Sequence, residues 1–200
     1  MENFLPVFEH FYSIQGEGYN TGMPAYFIRL SGCSVGCAWC DTKITWSVEG
    51  GKMTSIDVIV NEVINSNSKN VVITGGEPTM HNLSVLTDSL KKNGIKTFLE
   101  TSGVNKITGS WDWICISPKI QRPPLNENLL LANELKVVVG GQKYFLWAEE
   151  NAEKVSPECK LFLQPEWIQH NDSTRMIIEY IKLNPKWNLS VQIHKYLRIR

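Results

Sequence analysis

Short apolar segments alternate with amphipathic segments along this chain, and that alternation strongly limits the folds open to it. Residues 71–74 and 135–139 are short and rich in β-branched residues, which predicts strands. Elsewhere the apolar residues Ile56, Ile59 and Val63 recur at helical spacing. Because parallel strands need a long crossover, usually a helix, the pattern predicts an α/β fold with a mostly parallel sheet. Strands this continuously apolar also predict a sheet covered on both faces.

The length of the chain decides between a closed and an open form of that fold. A complete eightfold β/α barrel usually needs about 250 residues, whereas this chain has 200. Residues 103–110 are also too rich in loop-forming residues to hold one of the helices. We therefore expect a partial, open β/α barrel. No repeat or linker divides the chain, so we expect a single domain over residues 1–200.

Composition excludes several classes of function. The 20 basic and 20 acidic residues cancel, so nothing attracts the chain generally to nucleic acid or anionic membranes. The sequence contains no apolar stretch of about 18 residues, so we expect no segment to cross a membrane. The N-terminus does not resemble a secretory signal. Three of the five cysteines fall between positions 33 and 40, which favours a metal site in a reducing compartment, the cytoplasm. Cys115 and Cys159 are expected to be small buried hydrophobic residues.

Polar and glycine-rich segments follow five of the predicted strands. In a parallel sheet the carboxyl ends of the strands lie along one edge, where ligands bind. We therefore expect one shared site at that edge, although glycine, proline and serine are also the ordinary content of loops. The segments are residues 32–41, 75–78, 101–103, 117–119 and 164–165.

Cys33, Cys37 and Cys40 place three thiols on one short loop. Thiolates are soft ligands that suit zinc and iron–sulfur clusters. A structural zinc site normally closes with four ligands, and no fourth Cys or His stands nearby. A four-iron cluster held by three thiolates would instead leave one iron open to a substrate. On the cysteines alone, zinc remains an alternative.

The cysteine spacing C-x3-C-x2-C, with Trp39 before the last cysteine, resembles the signature of the radical S-adenosylmethionine superfamily. The segment Gly-Gly-Glu-Pro at residues 75–78 resembles that superfamily's second motif. Further segments resemble the 7-carboxy-7-deazaguanine synthase family, densely in the first 50 residues and sparsely later. They are residues 14–18, 27–30, 40–42, 100–103, 117–119 and 192–195.

The resemblance implies a reaction and its cofactors. Members of that family convert 6-carboxy-5,6,7,8-tetrahydropterin to 7-carboxy-7-deazaguanine with loss of ammonia, on the route to queuosine and other deazapurines. The implied cofactors are a 4Fe-4S cluster, S-adenosylmethionine and Mg²⁺. The implied partners are the small pterin substrate, a flavodoxin-like electron donor and a second copy of the chain. No direct contact with nucleic acid or membrane is expected.

The resemblance also assigns roles to individual residues. It places the cluster, and with it the catalytic centre, on Cys33, Cys37 and Cys40, and the Mg²⁺ on Thr42. The residues expected to contact S-adenosylmethionine are Trp39, Asp41, Gly76, Glu77, Gly103, Ser117, Lys119 and Gln164. The residues expected to contact the substrate are Ile14, Gln15, Gly16, Arg29 and Thr101.

The chain departs from the family at its end. Family members often finish with a proline whose carboxylate lies near the substrate, whereas this chain ends at Arg200. That difference puts a contribution of Arg200 to the substrate site in doubt. His194 and Lys195 are expected to be surface or packing residues.

Two other functions remain as alternatives. A glycyl-radical activase shares the cysteine spacing but acts on a protein backbone, and the Gln-Gly-Glu-Gly segment at residues 15–18 argues against it. A non-catalytic module that binds zinc or RNA would also carry clustered cysteines, and the balanced charge argues against RNA binding.

Overall fold

The structure is a computed structural model that describes residues 3–200. Its strands are β1 (Phe4–Ile14), β2 (Pro24–Leu30), β3 (Lys52–Ser55), β4 (Asn70–Gly75), β5 (Lys96–Thr101), β6 (Trp113–Ile116), β7 (Glu134–Val139), β8 (Lys160–Pro165) and β9 (Trp187–Leu189). Its α-helices are α1 (Ile56–Asn65), α2 (Ser84–Lys92), α3 (Asn126–Leu129), α4 (Lys143–Ala152), α5 (His170–Leu183) and α6 (Ile193–Leu197).

All of these strands belong to one sheet, in the order β3-β1-β2-β4-β5-β6-β7-β8-β9. β1 pairs antiparallel with β2 and β3, while β2 and the strands from β4 to β9 run parallel. The sheet does not close on itself, because β3 and β9 stand at its two edges. The predicted open, mostly parallel β/α architecture is confirmed. Within residues 3–200 no helix is both long and apolar enough to cross a membrane.

Helices α1, α2, α4 and α5 pack on one face of the parallel strands. Side chains from α1, α2, α4 and α5 share a buried core with alternate strand residues such as Ile28, Ile73 and Leu135. Neighbouring residues of a strand point to opposite faces, so Arg29 and Lys136 point away from that core and line a cavity. The expected cover on both faces is found in part, because helices cover one face while Ala25, Phe27 and Val72 form a small buried cluster on the other. The strands read as continuously apolar because their cavity-facing side also carries apolar residues, including Phe27, Val72 and Val138.

The N-terminal strand β1 is one that the sequence pattern does not predict. Only its first part is well buried, and its pairing with β2 shifts register between Val7 and Glu9. Such an irregularity places an extra residue in one strand and breaks the period-two alternation that would reveal the strand. β1 nevertheless positions the site, because it ends at Ile14, and Gln15 and Gly16 follow directly.

Candidate active site

A cavity of about 300 Å³ lies on the face of the sheet opposite helices α1, α2, α4 and α5. Residues from β1, β2, β4, β5, β7 and β8 line it, together with the loops at the carboxyl ends of the parallel strands. Every site residue predicted from the sequence lines this cavity except Gly103. Gly103 stands in the loop after β5 with φ +76, and its carbonyl accepts hydrogen bonds from Leu125 N (2.9 Å) and Asn128 Nδ2 (2.7 Å). Its position shapes the loop behind the cavity.

The loop that carries the three cysteines leaves β2 at the cavity. The Cys33 amide donates to the Trp46 carbonyl (3.0 Å), and the Cys40 amide donates to the Cys37 carbonyl (3.0 Å). All three sulfurs accept N–H groups, from Val35 N to Cys33 (3.5 Å), from Thr42 N to Cys40 (3.4 Å) and from the Gln121 side chain to Cys37 (3.0 Å). Sulfur atoms that accept N–H bonds are suited to the thiolate state in which cysteine binds metal.

The arrangement of donors suits a cluster better than a single ion. All five cysteines are free thiols. In the described part of the chain, no three His, Cys, Asp or Glu side chains are grouped to hold one metal ion. A zinc site needs its ligands around one point, whereas a cluster takes each thiolate on a different iron. Three thiolates on one loop are a donor set of the kind that suits a 4Fe-4S cluster.

Gly76 brings the end of β4 against the cysteine loop. A Cβ at this position would lie 2.4 Å from the Gly32 carbonyl oxygen and 2.8 Å from Cys33 Cβ. The Gly76 amide donates to the Leu30 carbonyl (2.9 Å), and the Glu77 amide donates to the Gly32 carbonyl (2.8 Å). Only a residue without a side chain allows this approach. The Gly-Gly-Glu-Pro segment is therefore in direct contact with the loop that carries the three cysteines.

The Glu77 carboxylate is used inside the protein. It is 1% exposed and accepts hydrogen bonds from Thr79 Oγ1 (2.7 Å), Thr101 Oγ1 (2.5 Å), Ser102 N (2.8 Å) and the Ser102 hydroxyl. This set satisfies a buried charge, which would otherwise be very costly. The side chain ties the loop after β4 to the end of β5.

Lys119 and Trp39 form one wall of the cavity. Lys119 Nζ lies 5.0 Å from the centre of the Trp39 ring and donates to Ser117 Oγ (2.6 Å). Burial lowers the pKa of the Lys119 ammonium. Opposite them, Gln164 Oε1 accepts the hydroxyl of Ser190 (2.7 Å), which fixes the amide at the end of β8.

A buried ionic group lies on the cavity-facing side of β5 and β7. Lys136 Nζ, whose side chain is 4% exposed, lies 2.8 Å from Glu17 Oε2 and 2.9 Å from Glu100 Oε2. Burial alone would raise the pKa of Glu17, but the Lys136 ammonium lowers it to about 2. Burial also opposes the Lys136 charge, yet the surrounding anionic groups raise its pKa well above the ordinary value. Lys136 and Glu17 are therefore both charged at neutral pH.

Glu134 lies behind this group, next to β6. Its Oε2 accepts Trp113 Nε1 (3.1 Å) and the Tyr19 amide (3.3 Å), while its buried Oε1 has no partner within residues 3–200. Burial raises the pKa of the Glu134 carboxyl to about 7. The side chain does not line the cavity, in contrast to Glu100 and Lys136.

Arg29 presents a partly used guanidinium to the cavity. Its Nε donates to Glu9 Oε1 (2.9 Å), and the Arg29 side chain is 22% exposed. Within the described residues this bond uses only Nε, which leaves both terminal nitrogens to hold a carboxylate. A planar guanidinium suits that contact. Arg29 is thus a half-buried residue of the site and not an ordinary exposed strand residue.

The C-terminal helix α6 also contributes to the cavity. Lys195 Nζ lies 2.8 Å from Asp41 Oδ2 and 3.0 Å from Gln192 Oε1, and Gln192 Nε2 donates to Glu17 Oε1 (2.7 Å). Burial alone would raise the pKa of Asp41, but Lys195 lowers it. His194 packs against Gly16, and a Cβ at position 16 would lie 2.2 Å from His194 Nδ1. His194 and Lys195, expected to be surface or packing residues, both line the cavity.

Comparisons with known proteins identify the family. A family model described as "4Fe-4S single cluster domain" matches residues 14–155. The 7-carboxy-7-deazaguanine synthase of Flavobacterium psychrophilum is 48% identical over 98% of this chain and 92% of its own length. That of Escherichia coli K12 is 38% identical over 97% of this chain and 98% of its own length. The crystal structure of QueE from Escherichia coli superimposes with a TM-score of 0.85, at 36% identity, covering 94% of each chain.

The chain belongs to the 7-carboxy-7-deazaguanine synthase family. It is a radical S-adenosylmethionine enzyme of the lyase class, with a 4Fe-4S cluster and S-adenosylmethionine as its cofactors. A non-catalytic zinc or RNA module and a glycyl-radical activase are both set aside, because relatives and structure neighbour alike are synthases of this family.

Sequence reasoning missed several residues of this synthase-family cavity. Lys136 lies within an apolar strand and gives only a weak signal, while Glu100 belongs to the family-like segment 100–103 but received no role. Glu17 belongs to a quoted motif, but its partner Lys136 is 119 residues away in sequence. Arg200 also lines the cavity, and its carbonyl accepts the Ser13 hydroxyl (2.6 Å).

Proposed function

We propose that this chain converts 6-carboxy-5,6,7,8-tetrahydropterin to 7-carboxy-7-deazaguanine with loss of ammonia, in 7-deazapurine and queuosine biosynthesis. The names of its relatives support this reaction. The observation that carries the proposal is that one cavity joins the cysteine loop to a polar floor. The floor is the buried Glu17–Lys136–Glu100 group. When bound, the cluster and S-adenosylmethionine supply the one-electron chemistry that starts the reaction.

Two sets of residues would bind the reactants in this cavity, and they meet where Thr101 Oγ1 donates to Glu77 Oε1 (2.5 Å). On the cluster side, the proposed contacts to S-adenosylmethionine are Trp39, Asp41, Gly76, Glu77, Ser117, Lys119 and Gln164, with Gly103 shaping the loop behind them. The residues proposed to hold the substrate are Ile14, Gln15, Gly16, Arg29 and Thr101. The roles of Cys33, Cys37 and Cys40 as cluster ligands follow from the donor set described above.

Different atoms of the substrate set have different tasks. The Gln15 side chain donates to Glu100 (3.2 Å) and accepts the Glu17 amide (3.3 Å), while its backbone pairs with Met23 and Gly22 (2.8 Å each). Gln15 would therefore shape the loop that meets the pterin edge. The Arg29 terminal nitrogens would hold the substrate carboxylate. The Thr101 hydroxyl donates to Glu77 and keeps a lone pair for a ligand.

Thr42 is proposed to bind Mg²⁺. Its hydroxyl donates to Asp41 Oδ1 (2.9 Å), which leaves the oxygen lone pairs free to face an ion. Mg²⁺ prefers six oxygen ligands and usually keeps several waters. The substrate and water would complete the shell, and Asp41 would orient the hydroxyl.

Further proposals concern organisation and partners. We propose a single domain over residues 1–200, of which residues 1 and 2 lie outside the described range. One continuous sheet joins the described residues and supports this division. The family resemblance supports a homodimer, a flavodoxin-like electron donor and a cytoplasmic location. The balanced charge supports the proposal that the chain makes no direct contact with nucleic acid.

A direct assay tests the proposed reaction. Reconstituted protein is incubated without oxygen with carboxytetrahydropterin, S-adenosylmethionine, Mg²⁺ and a reductant, and the products are separated and weighed by mass spectrometry. We expect 7-carboxy-7-deazaguanine and free ammonia. Formation of 5′-deoxyadenosine without any deazapurine would contradict the proposed substrate while leaving the enzyme class intact.

A matched pair of cysteine variants tests the ligand assignment. Cys37→Ala should lose bound iron and turnover, whereas Cys159→Ala, at a buried cysteine that packs in the apolar core away from the cavity, should keep both. Iron and sulfide analysis with product formation measures the outcome. A fully active Cys37→Ala protein would refute the assignment.

A further inference from the structure

Gln121 contacts the cluster-binding loop from outside the cavity. Its Nε2 lies 3.0 Å from Cys37 Sγ, although Gln121 stands 84 residues later in the chain. Within residues 3–200 it is the only side chain that donates a hydrogen bond to one of the three cluster-binding sulfurs, since the Cys33 and Cys40 sulfurs accept backbone amides. No motif in the sequence marks this residue.

The turn that carries Gln121 is held in place on both sides. Lys119 and Arg122 form an isolated antiparallel bridge, with the Arg122 amide donating to the Lys119 carbonyl (3.1 Å). Arg122 Nη1 donates to the Ser34 carbonyl (2.6 Å), on the cysteine loop itself. On the other side, Lys119 Nζ donates to Ser117 Oγ (2.6 Å). The turn is therefore fixed to the loop independently of the Gln121 side chain.

A bound thiolate sulfur accepts hydrogen bonds and cannot donate one. The Gln121 amide must therefore present its N–H₂ group to Cys37. A hydrogen bond to an ionised acceptor is stronger than a neutral one. Hydrogen bonds to the sulfurs of an iron–sulfur cluster are among the factors that set its reduction potential. Reduction adds negative charge to the cluster, so a donor at the sulfur stabilises the reduced form more than the oxidised form.

We propose that Gln121 is a positioning residue that raises the reduction potential of the cluster through its hydrogen bond to Cys37 Sγ. It acts on a ligand of the cluster and touches neither reactant, because it does not line the cavity. The inference requires the 4Fe-4S cluster but not the proposed pterin substrate.

An EPR-monitored redox titration, without S-adenosylmethionine or substrate, tests the proposal. Gln121→Met has nearly the same length and no N–H group, and its cluster should show a more negative midpoint potential than that of the wild type. Gln142→Met is the matched control, because the Gln142 amide contacts the Met176 sulfur at 3.7 Å and lies outside the cavity lining. Its cluster should keep the wild-type potential.

A second readout separates this hydrogen bond from a structural effect. Pulsed ENDOR of the reduced cluster in H₂O and D₂O should show an exchangeable proton coupling that is lost in Gln121→Met. A wild-type potential and coupling in Gln121→Met, at full iron and sulfide content, would overturn the proposal. If Gln121→Met binds less iron, Gln121→Asn replaces it, because the shorter amide ends one methylene short of the sulfur. A wild-type potential and coupling in Gln121→Asn would then overturn the proposal. The titration can fail without affecting the proposed reaction, and the assay of that reaction can fail without affecting the titration.

Discussion

Lys195 on helix α6 forms an ion pair with Asp41, which directly follows Cys40 on the cysteine loop, with 2.8 Å between Nζ and Oδ2. The contact spans 154 residues of sequence and closes one side of the cavity. Lys195 Nζ also lies 4.7 Å from the centre of the Trp167 ring, so the helix is held against the loop after β8. The C-terminal segment is thereby part of the site.

Removing this ion pair should weaken cofactor binding more than folding. Without Lys195 the pKa of Asp41 rises and its carboxylate is no longer fixed. In Lys195→Met we expect the KM for S-adenosylmethionine to rise by up to about tenfold, which corresponds to about 1.4 kcal/mol. Because Asp41 is half exposed, stability should change by less than about 1 kcal/mol.

The control is Lys182→Met, which removes an exposed ion pair with Glu179 on α5. Its KM should equal that of the wild type. Steady-state kinetics and thermal unfolding without oxygen measure both variants. Equal KM values for the two variants would show that Lys195 plays no part in binding.

Loss of Lys136 should be severe for stability. Lys136→Met leaves the Glu17 and Glu100 carboxylates without their buried cation, and such a loss costs about 3–5 kcal/mol. Adding Glu17→Gln removes one of the stranded charges and should recover part of that loss. Unfolding at pH 7 without oxygen gives the three free energies. The comparison variant Lys186→Met removes a half-exposed pair with Glu149 and should cost at most about 1 kcal/mol.

The raised pKa of Glu134 predicts a pH dependence of stability. The native carboxyl titrates at about 7 instead of 4.5, so the folded state binds more protons between these values than the unfolded state. Stability contributed by the protonated Glu134 is therefore present below about pH 4.5 and is lost as the pH rises through 7. Glu134→Gln should match the wild type near pH 5.

At pH 8 the same variant should exceed the wild type by up to about 3 kcal/mol. Urea unfolding at both pH values measures the difference, in which the other titrating groups cancel. A constant difference between the two proteins across this range would contradict the raised pKa.

The contact between Gly16 and His194 predicts a steric coupling. In Gly16→Ala the new Cβ would lie 2.2 Å from His194 Nδ1, and such overpacking costs about 1–3 kcal/mol. His194→Ala should remove most of that cost when it is combined with Gly16→Ala, which a double-mutant cycle of unfolding free energies detects. Gly141→Ala, where nothing lies within 4 Å of the added Cβ, is the neutral reference. Additive effects at positions 16 and 194 would refute the coupling.

The sequence predicts the parts of this site that are local in the chain. Cys33, Cys37 and Cys40 lie within one loop, and Gly76 belongs to a four-residue motif, so spacing alone brings them to attention. The open β/α sheet also follows from local alternation. These features need no knowledge of which distant segments meet.

The missing parts depend on contacts between distant segments. The Glu100–Lys136 pair becomes visible only when β5 and β7 face one cavity. The orientation of α6 depends on Lys195 meeting Asp41, and nothing near either residue in sequence indicates that pairing. A charged residue in an apolar strand can lie at the edge of a sheet or face a cavity, and only the folded arrangement of the strands distinguishes these two cases.

The placement of all main helices on one side of the sheet separates two demands on the sequence. Residues such as Ile28 and Leu135 belong to the helix-bearing core, while their strand neighbours Arg29 and Lys136 line the cavity. Evolution can therefore change the cavity-lining residues one at a time, while the core residues keep the sheet and its helices intact. Such an architecture favours the evolution of specificity for new ring substrates without a change of fold.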